Sequence, residues 1–192
     1  VSFQVDGVTY KREFFISYPH QVLAARFSAE RAGQLSRELS GVFRLSSVQR
    51  STVDVQDALI ILQGQCLGLN GEEEGMRFAV QMGIHSIDGE LESFQDGLRI
   101  KHASQVVVVL SSATSFRGWD KEPNLPQQEV RKKGRKRLEA VLALPYERLK
   151  EEHIEDYQSL YSRVEICLGV GNEHLPLDER LARVKDGVQD LD

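Results

Sequence analysis

The spacing of apolar residues changes near residue 120, and this change constrains the fold more than any other feature of the sequence. Between residues 77 and 85, Phe78, Val80 and Met82 alternate with other residues, which is the period of two of a half-buried β-strand. After residue 120 the apolar residues recur at intervals of three or four, which is the period of an α-helix. The sequence therefore predicts a β-rich part followed by a helical part.

Residues 1 to about 112 consist of short apolar runs separated by turn signals, a pattern that predicts about nine or ten strands in an antiparallel sandwich. The Val-rich run 105–112 is continuous, so we expect it to be a central strand that is covered on both faces. Asp88-Gly89 and Asp96-Gly97 are typical of hairpin turns. The main predicted strands are 10–17, 22–29, 35–39, 52–56, 58–65, 77–85 and 105–112.

The helical part begins after Pro126, a residue suited to the first turn of a helix. A first helix is predicted over 129–144, and a second begins after Pro145, with an apolar face that should pack on something. Residues 164–168 alternate like a strand and are followed by a loop at 169–172. A last short helix is predicted from Pro176 to near Gly187.

The composition excludes several classes of protein. With 24 Lys and Arg against 29 Asp and Glu, the net charge is −5, and 41% of residues are hydrophobic, as in ordinary globular proteins. No apolar run approaches the roughly 20 residues of a membrane-spanning helix. The two cysteines, Cys66 and Cys167, cannot form a disulfide scaffold or a four-ligand zinc site unaided.

The groups that could carry chemistry have plainer explanations. The carboxylates at 72–74, 151–152 and 155–156 are most simply solvated, because a glycosidase acid pair needs two carboxyls facing each other across a cleft. His153 and Asp156 have a spacing that metal sites use, but a packed or capping His153 is favoured. Cys66 is interpreted as a buried, inert thiol. No catalytic, cofactor-binding or metal-binding residue is assigned, and no cofactor is expected.

Two further segments leave alternatives open. Residues 131–137 hold six cations in seven positions and could contact phosphates, although a solvated helix face is favoured. Phe116 and Trp119 could stack on a sugar ring or form an aromatic plug between domains, and composition favours the plug.

Four stretches together resemble glycoside hydrolase family 95. Residues 8–22 (VTYKREFFISYPHQV) resemble its YxRExFxSYPDQV run, and residues 113–121 (ATSFRGWDK) resemble ATSFNGFDK. Residues 153–164 (HIEDYQSLYSRV) resemble HIxDYxxLFxRV, and residues 175–181 (LPLDERL) resemble LPTDERL. The chain departs from these patterns at His20, Arg117 and Trp119. The four matches occur in the family's order and span almost the whole chain.

This resemblance implies an architecture and an activity for a longer parent protein. Residues 1–120 would be the later part of an N-terminal β-super-sandwich, and residues 121–192 a helical linker with one short strand that ends before an (α/α)6 barrel. The first residue, Val1, and the abrupt end at Asp192 also led us to expect a piece of something larger. The expected partners are that missing barrel and the rest of the sandwich, with no nucleic acid and no membrane.

The family's known members are mostly α-L-fucosidases, with some α-L-galactosidases. The resemblance thus implies a parent enzyme that hydrolyses terminal α-1,2-linked fucose, or α-L-galactose, from oligosaccharides with inversion at the anomeric carbon, with its catalytic groups in the barrel. This chain alone is expected to be inactive. The rival hypotheses are a stand-alone carbohydrate-binding or scaffolding module and, more weakly, nucleic-acid binding through residues 131–137. The compartment is not determined by the sequence.

Overall fold

Two antiparallel sheets form most of the protein, as seen in a computed structural model that describes residues 1–68, 75–166 and 174–188. The described strands are β1 (Ser2–Val5), β2 (Val8–Ser17), β3 (Val22–Arg31), β4 (Gln34–Leu35), β5 (Leu39–Arg44), β6 (Arg50–Gln56), β7 (Leu59–Gln65), β8 (Arg77–Ile87), β9 (Glu90–Phe94), β10 (Gly97–Ala103) and β11 (Gln105–Thr114). The helices are α1 (Gln127–Leu142), α2 (Tyr146–Tyr161) and α3 (Leu177–Lys185). The predicted antiparallel sandwich followed by helices is confirmed.

The larger sheet has the order β1-β2-β3-β11-β8-β7-β6, with β4 paired to β3, and the smaller has the order β5-β10-β9. Strand β11 lies between β3 and β8, where Val108 pairs with Ala25 on one side and with Ile84 on the other. The predicted central position of this strand is therefore confirmed.

The inner face of the larger sheet packs against the smaller sheet. Val106 and Val108 of β11 point into this space with Ile60, Leu98 and Ile100, all of them buried. Because successive side chains of a strand alternate between the two faces, Val107 and Val109 point the opposite way. This inner layer is the hydrophobic core of the sandwich.

The outer face of the larger sheet is covered by helices. Val107 and Val109 form a second core with Leu138 and Val141 of α1 and with Leu149 of α2. The first part of the protein therefore has three layers in the order small sheet, large sheet, helices. The continuous valine run follows from this arrangement, since a strand buried on both faces needs no polar side.

Helix α1 packs closely on the sheet at Gly134. A Cβ atom at this position would lie 3.0 Å from Gln81 Nε2 and 3.3 Å from Ser111 Oγ. Both of these buried side chains donate hydrogen bonds to the helix backbone: Gln81 to the Arg131 carbonyl at 2.7 Å, and Ser111 to the Gly134 carbonyl at 2.8 Å. The glycine thus lets two polar sheet residues fix the position of the helix along the sheet.

Three local predictions were wrong. Strand 35–39 is displaced, because the chain pairs at Gln34–Leu35 and again from Leu39 to Arg44. Asp96-Gly97 does join the hairpin β9-β10, but Asp88-Gly89 joins β8 to β9, which belong to different sheets. Residues 164–166 are not in a strand, while the rest of that prediction, and the loop at 169–172, lie outside the described residues.

Asp88 is not part of a hairpin turn, and its side chain instead binds the connection between β10 and β11. Its carboxylate accepts hydrogen bonds from the backbone N–H groups of Ser104 and Gln105, at 2.8 and 3.0 Å, and from the Ser104 hydroxyl at 2.5 Å. Partial burial alone would raise the pKa of Asp88, but these hydrogen bonds outweigh it and lower the pKa. The charged form of Asp88 therefore stabilises the passage from β10 to β11.

The chain divides into two compact units, residues 1–156 and residues 157–192. In the described part of the second unit, Tyr157 and Tyr161 stack with ring centroids 5.1 Å apart, and α3 follows Pro176, as predicted. Among the described residues, none of the helices is long and apolar enough to cross a membrane.

Replacing Gly134 by valine tests the fit between α1 and the sheet. We expect Gly134→Val to lower the free energy of unfolding by at least about 2 kcal/mol, because the new side chain meets Gln81 and Ser111 in a packed layer. The control, Lys133→Val on the exposed side of the same helix, should cost only about 0.5 kcal/mol of helix propensity. Urea unfolding measures both, and equal losses would contradict the close contact.

Candidate functional site at the sheet–helix junction

The outer face of β2 and β3 meets the first turns of α2, and this junction holds a group of charged and aromatic side chains that contact one another. Glu13 pairs with Arg26 across the two strands, which places both side chains on the outer face. In α2, Tyr146, Leu149, Lys150 and His153 lie on one side because their spacing follows the helical period. The strand register and the helix period together bring these two sets of side chains into contact.

Glu13 is the centre of the junction. Its carboxylate forms ion pairs with Arg26 at 2.7 Å and with Lys150 at 2.5 Å, and it accepts a hydrogen bond from the Tyr146 hydroxyl at 3.0 Å. Arg26 continues the network to Glu147 at 2.5 Å, and its guanidinium lies 4.5 Å from the centre of the Tyr146 ring. One carboxylate on the sheet therefore binds two residues of the helix directly and a third through Arg26.

Aromatic packing surrounds this network. The Phe15 ring stacks on His153 with the centroids 4.8 Å apart, and it also contacts Tyr146 at 5.9 Å. Tyr146 and Leu149 are buried beneath them. His153 is thus a packed residue, as the sequence favoured.

A second polar contact ties the β2–β3 turn to the same helix. His20 Nε2 lies 2.7 Å from Glu152 Oε2, and Arg148 donates to the other oxygen of Glu152 at 2.7 Å. Hydrogen bonds from Arg148 and from His20 lower the pKa of Glu152. His20 is one of the positions at which the chain departs from the family 95 pattern, and here its partner is an acid.

The electrostatics of the junction suit anchoring and not acid catalysis. Burial by itself would raise the pKa of Glu13, but hydrogen bonds from Lys150 and Tyr146, together with the Arg26 charge, lower it. Burial, followed by the bond to Glu13, raises the pKa of Tyr146. A glycosidase general acid needs a raised carboxyl pKa, so Glu13 has the opposite property.

The remaining candidates from the sequence are scattered. His85 Nε2 lies 2.5 Å from the Leu144 carbonyl, and His102 and His174 are exposed. Cys66 follows β7 and is half-buried, so the predicted burial of its thiol is only partial. Within the described ranges no group of three potential metal ligands occurs. The acidic run 72–74 and Cys167 lie outside the described residues.

The two open segments are both on the surface. Gly134 faces the sheet, and the cations at 132, 133, 135 and 136 are exposed, as a solvated face requires. Arg137 instead donates a hydrogen bond to the Ser112 carbonyl of β11 at 3.0 Å. Trp119 is 96% exposed and Phe116 is 53% exposed, in a loop where Gly118 has φ +125°. The aromatic-plug interpretation is therefore wrong for the described chain, since neither ring is buried within it.

Comparisons with known proteins now bear on this architecture. The model of the glycosyl hydrolase family 65 N-terminal domain matches residues 1–119, which is more than half of the chain. The chain belongs to this family of N-terminal domains. The model of the glycosyl hydrolase family 95 catalytic domain matches residues 145–192, a segment that begins just before α2.

A curated relative supports the same assignment. Alpha-L-fucosidase 2 from Arabidopsis thaliana is 27% identical over an aligned length of 186 residues, and the match covers 88% of this chain. The match covers 22% of the relative's own length, so the chain spans about a fifth of that protein. The resemblance to family 95 is confirmed, with the refinement that the sandwich part matches a model named for family 65. The chain is an N-terminal region of the glycoside hydrolase type.

A solved structure shows the same fold. A protein described as a kojibiose phosphorylase from the human microbiome superimposes with a TM-score of 0.60 over 83% of this chain, at 10% sequence identity. The superposition covers 22% of that protein. At this identity the likeness concerns the fold alone. The division of the chain at residue 120 into sandwich and linker stays a prediction.

Sequence reasoning predicted that α2 packs on something but missed its partners. The sequence assigned no face of the sheet and no partner to Glu13 or Arg26. A signal was nevertheless present: Glu13, Phe15 and Ser17 share one face of β2, and this mixture of charge, aromatic ring and small residue is unusual for a purely solvated face.

Replacing Glu13 by glutamine tests the anchoring role. We expect Glu13→Gln to lower the free energy of unfolding by about 1 kcal/mol at neutral pH, a modest value because the partly exposed site is screened by water. The folded pKa of Glu13 is lower than its ordinary 4.5, so its contribution is complete above that pH and is lost as the pH falls through the folded pKa. Urea unfolding across this range measures the difference.

The matched control is Glu30→Gln, which removes a carboxylate paired with Lys11 on the same sheet face but not in contact with α2. Glu30→Gln should leave the binding of the helix unchanged, as followed by amide exchange in residues 146–156. If the two variants loosen α2 equally, Glu13 is not the anchor.

Proposed function

We propose that this chain is the non-catalytic N-terminal portion of a longer glycoside hydrolase, an inverting α-L-fucosidase that removes terminal α-1,2-linked fucose or α-L-galactose from oligosaccharides. Its role in that enzyme is to hold the start of the catalytic domain. The observation that carries this proposal is the junction itself: Glu13, Arg26 and Phe15 of the sandwich bind Tyr146, Lys150 and His153.

The two segments that match family models meet at this junction. Residues 1–119 match a hydrolase N-terminal domain, and the segment matching a catalytic domain begins at residue 145. The first turns of α2, which belong to the second segment, lie on the outer face of the first. A buried apolar layer with charged anchors around it suits a fixed attachment better than a flexible linker.

Exposed apolar surface supports the proposed partners. Phe14 and Ile16 share the inner face of the large sheet with Val108 but lie beyond the three-stranded sheet, and they are 55% and 69% exposed. We assign this strip to the rest of the sandwich of the same polypeptide. In the second unit, Tyr157, Leu160 and Tyr161 are exposed along α2, and we assign them to the catalytic barrel.

The proposal places the catalytic groups outside this chain. Every carboxyl of the described residues whose pKa is altered has a lowered pKa, because hydrogen bonds or nearby cations outweigh any effect of burial. These carboxyls are Glu13, Glu38, Asp88, Glu92 and Glu152. Each of them favours the charged form, which does not suit a proton donor to a glycosidic oxygen.

A hydrolysis assay tests this proposal. The isolated 192-residue chain should release no fucose from 2′-fucosyllactose above background, whereas a longer polypeptide that carries this chain at its N-terminal side should release it with inversion at the anomeric carbon. Proton NMR of the first-formed anomer measures both. Turnover by the isolated chain, or inactivity of the longer protein on fucosides and galactosides alike, would contradict the proposal.

A second function, a stand-alone carbohydrate-binding module, is favoured by one observation. Trp119 and Phe116 are exposed, so two aromatic rings are presented to solvent. Between them, Arg117 donates a hydrogen bond to Asn124 Oδ1 at 3.2 Å. Aromatic faces pack on the C–H faces of sugar rings. This role needs no catalytic domain.

The binding role makes its own prediction. Calorimetric titration with neutral oligosaccharides should then show binding that Trp119→Ala weakens by at least about tenfold, the loss of roughly 1.4 kcal/mol for one stacked ring. The control is Tyr18→Ala, which removes another exposed aromatic ring from a different loop. A chain that binds no oligosaccharide, or equal losses in the two variants, excludes the module.

A further inference from the structure

Helix α1 presents a concentrated positive surface that the proposed function does not use. Residues 131–137 contain six of the chain's 24 cations, although the chain as a whole carries a net charge of −5. Gly134 and Leu138 face the sheet, and the cations at 131, 132, 135 and 136 line a common side of the helix. Four of the six charges are therefore gathered on one side of the helix, and their sign is opposite to the net charge of the chain.

This surface borders a groove. The groove has a volume of about 460 Å³ and runs between α1 and the outer face of the large sheet, with Ile61 and Gln81 at its base. Its helical wall consists of Arg131, Lys132, Arg135 and Lys136. We call these six residues the basic groove. The one acid along its lining, Glu139, is paired with Arg135 at 2.6 Å.

Three of the cations in the basic groove are available. In the parts of the chain that the structure describes, Arg131, Lys132 and Lys136 form no ion pair with an acidic side chain. Asp54 lies on the same face of the sheet, beside Ile61, where it accepts a hydrogen bond from Gln56 at 2.7 Å. The positive side chains are thus on the helix side of the groove, and the negative Asp54 is on β6, the edge strand of the larger sheet.

We propose that the basic groove binds a uronate-bearing glycan chain. The inference rests on the proposed function, because only a polysaccharide-processing protein gives such a ligand a reason to be near. Carboxylates complement the groove's charge, and the planar guanidinium of Arg131 can bind one through two parallel hydrogen bonds. The site would keep an acidic polymer on the enzyme while another part acts on its sugars.

The dimensions of the groove suit this ligand. Lys132 and Lys136 are four residues apart on the helix, a rise of about 6 Å, which is close to the length of one sugar unit. The long aliphatic stems of these lysines offer a surface for sugar rings while the charged ends reach the carboxylates. The same residues therefore supply both parts of a glycan contact.

Nucleic acid fits the groove less well. No aromatic side chain lines it, so unpaired bases would have nothing on which to stack. Nucleic acid is accordingly one outcome of the test and not the proposal.

The test compares polygalacturonate with its fully methyl-esterified form, which keeps the sugar rings and removes the charge, and with double-stranded DNA. Binding to the 192-residue chain is measured by titration calorimetry at rising salt. We expect polygalacturonate to bind with an affinity that falls as salt rises, and the ester to bind at least about tenfold more weakly because ionic contacts are lost. The variant Lys132→Gln/Lys136→Gln should weaken polygalacturonate binding by about tenfold or more.

The matched control changes the same net charge elsewhere. Arg44→Gln/Lys101→Gln removes two cations from the small sheet, the layer opposite the helices, where they pair with Asp96 and Glu92. Binding should stay within about twofold of the unchanged chain. Equal losses in both double variants, equal binding of the ester, or tighter binding of DNA would overturn the proposal. Fucosidase activity of the longer protein is measured separately, so its absence would refute the proposed function without deciding this site.

Discussion

Burial of the central strand on both faces is the constraint from which the rest of the structure follows. Val106 and Val108 complete the core of the sandwich, while Val107 and Val109 point away from it and need a second cover. Leaving two such valines in water would cost about 3 kcal/mol or more. Helix α1 and the first turns of α2 are therefore part of the same folded unit as the sandwich and supply its third layer.

That cover explains details that are otherwise unconnected. Gly134 brings α1 close enough for Gln81 and Ser111 to bond to its backbone, which sets the helix's place on the sheet. Glu13 does the same for α2 with charged groups at the rim of the apolar layer. The segment that matches the family 95 catalytic domain thus begins at a defined position on the sandwich, which matches the family 65 N-terminal domain.

The sequence predicted what depends on periodicity and little of what depends on distant partners. The valine run foretold a doubly covered strand, and the family 95 resemblance foretold the hydrolase assignment. The hairpin at Asp88 was wrong because a local turn signal cannot reveal that the next strand joins another sheet. The Glu13 anchor was missed because its partners Tyr146 and Lys150 are more than 130 residues away in the sequence. The exposure of Trp119 was missed because the types of the neighbouring residues do not show whether a loop is covered.

Amide hydrogen exchange gives the most direct test of the three-layer account. Exchange in β11 is compared between the 192-residue chain and a version that ends at residue 120. With the helices present, the amides of residues 106–110 should be among the slowest to exchange, and their exchange should become markedly faster when the outer face is uncovered. Equally slow exchange in both proteins would contradict the claim that the helices complete the sandwich.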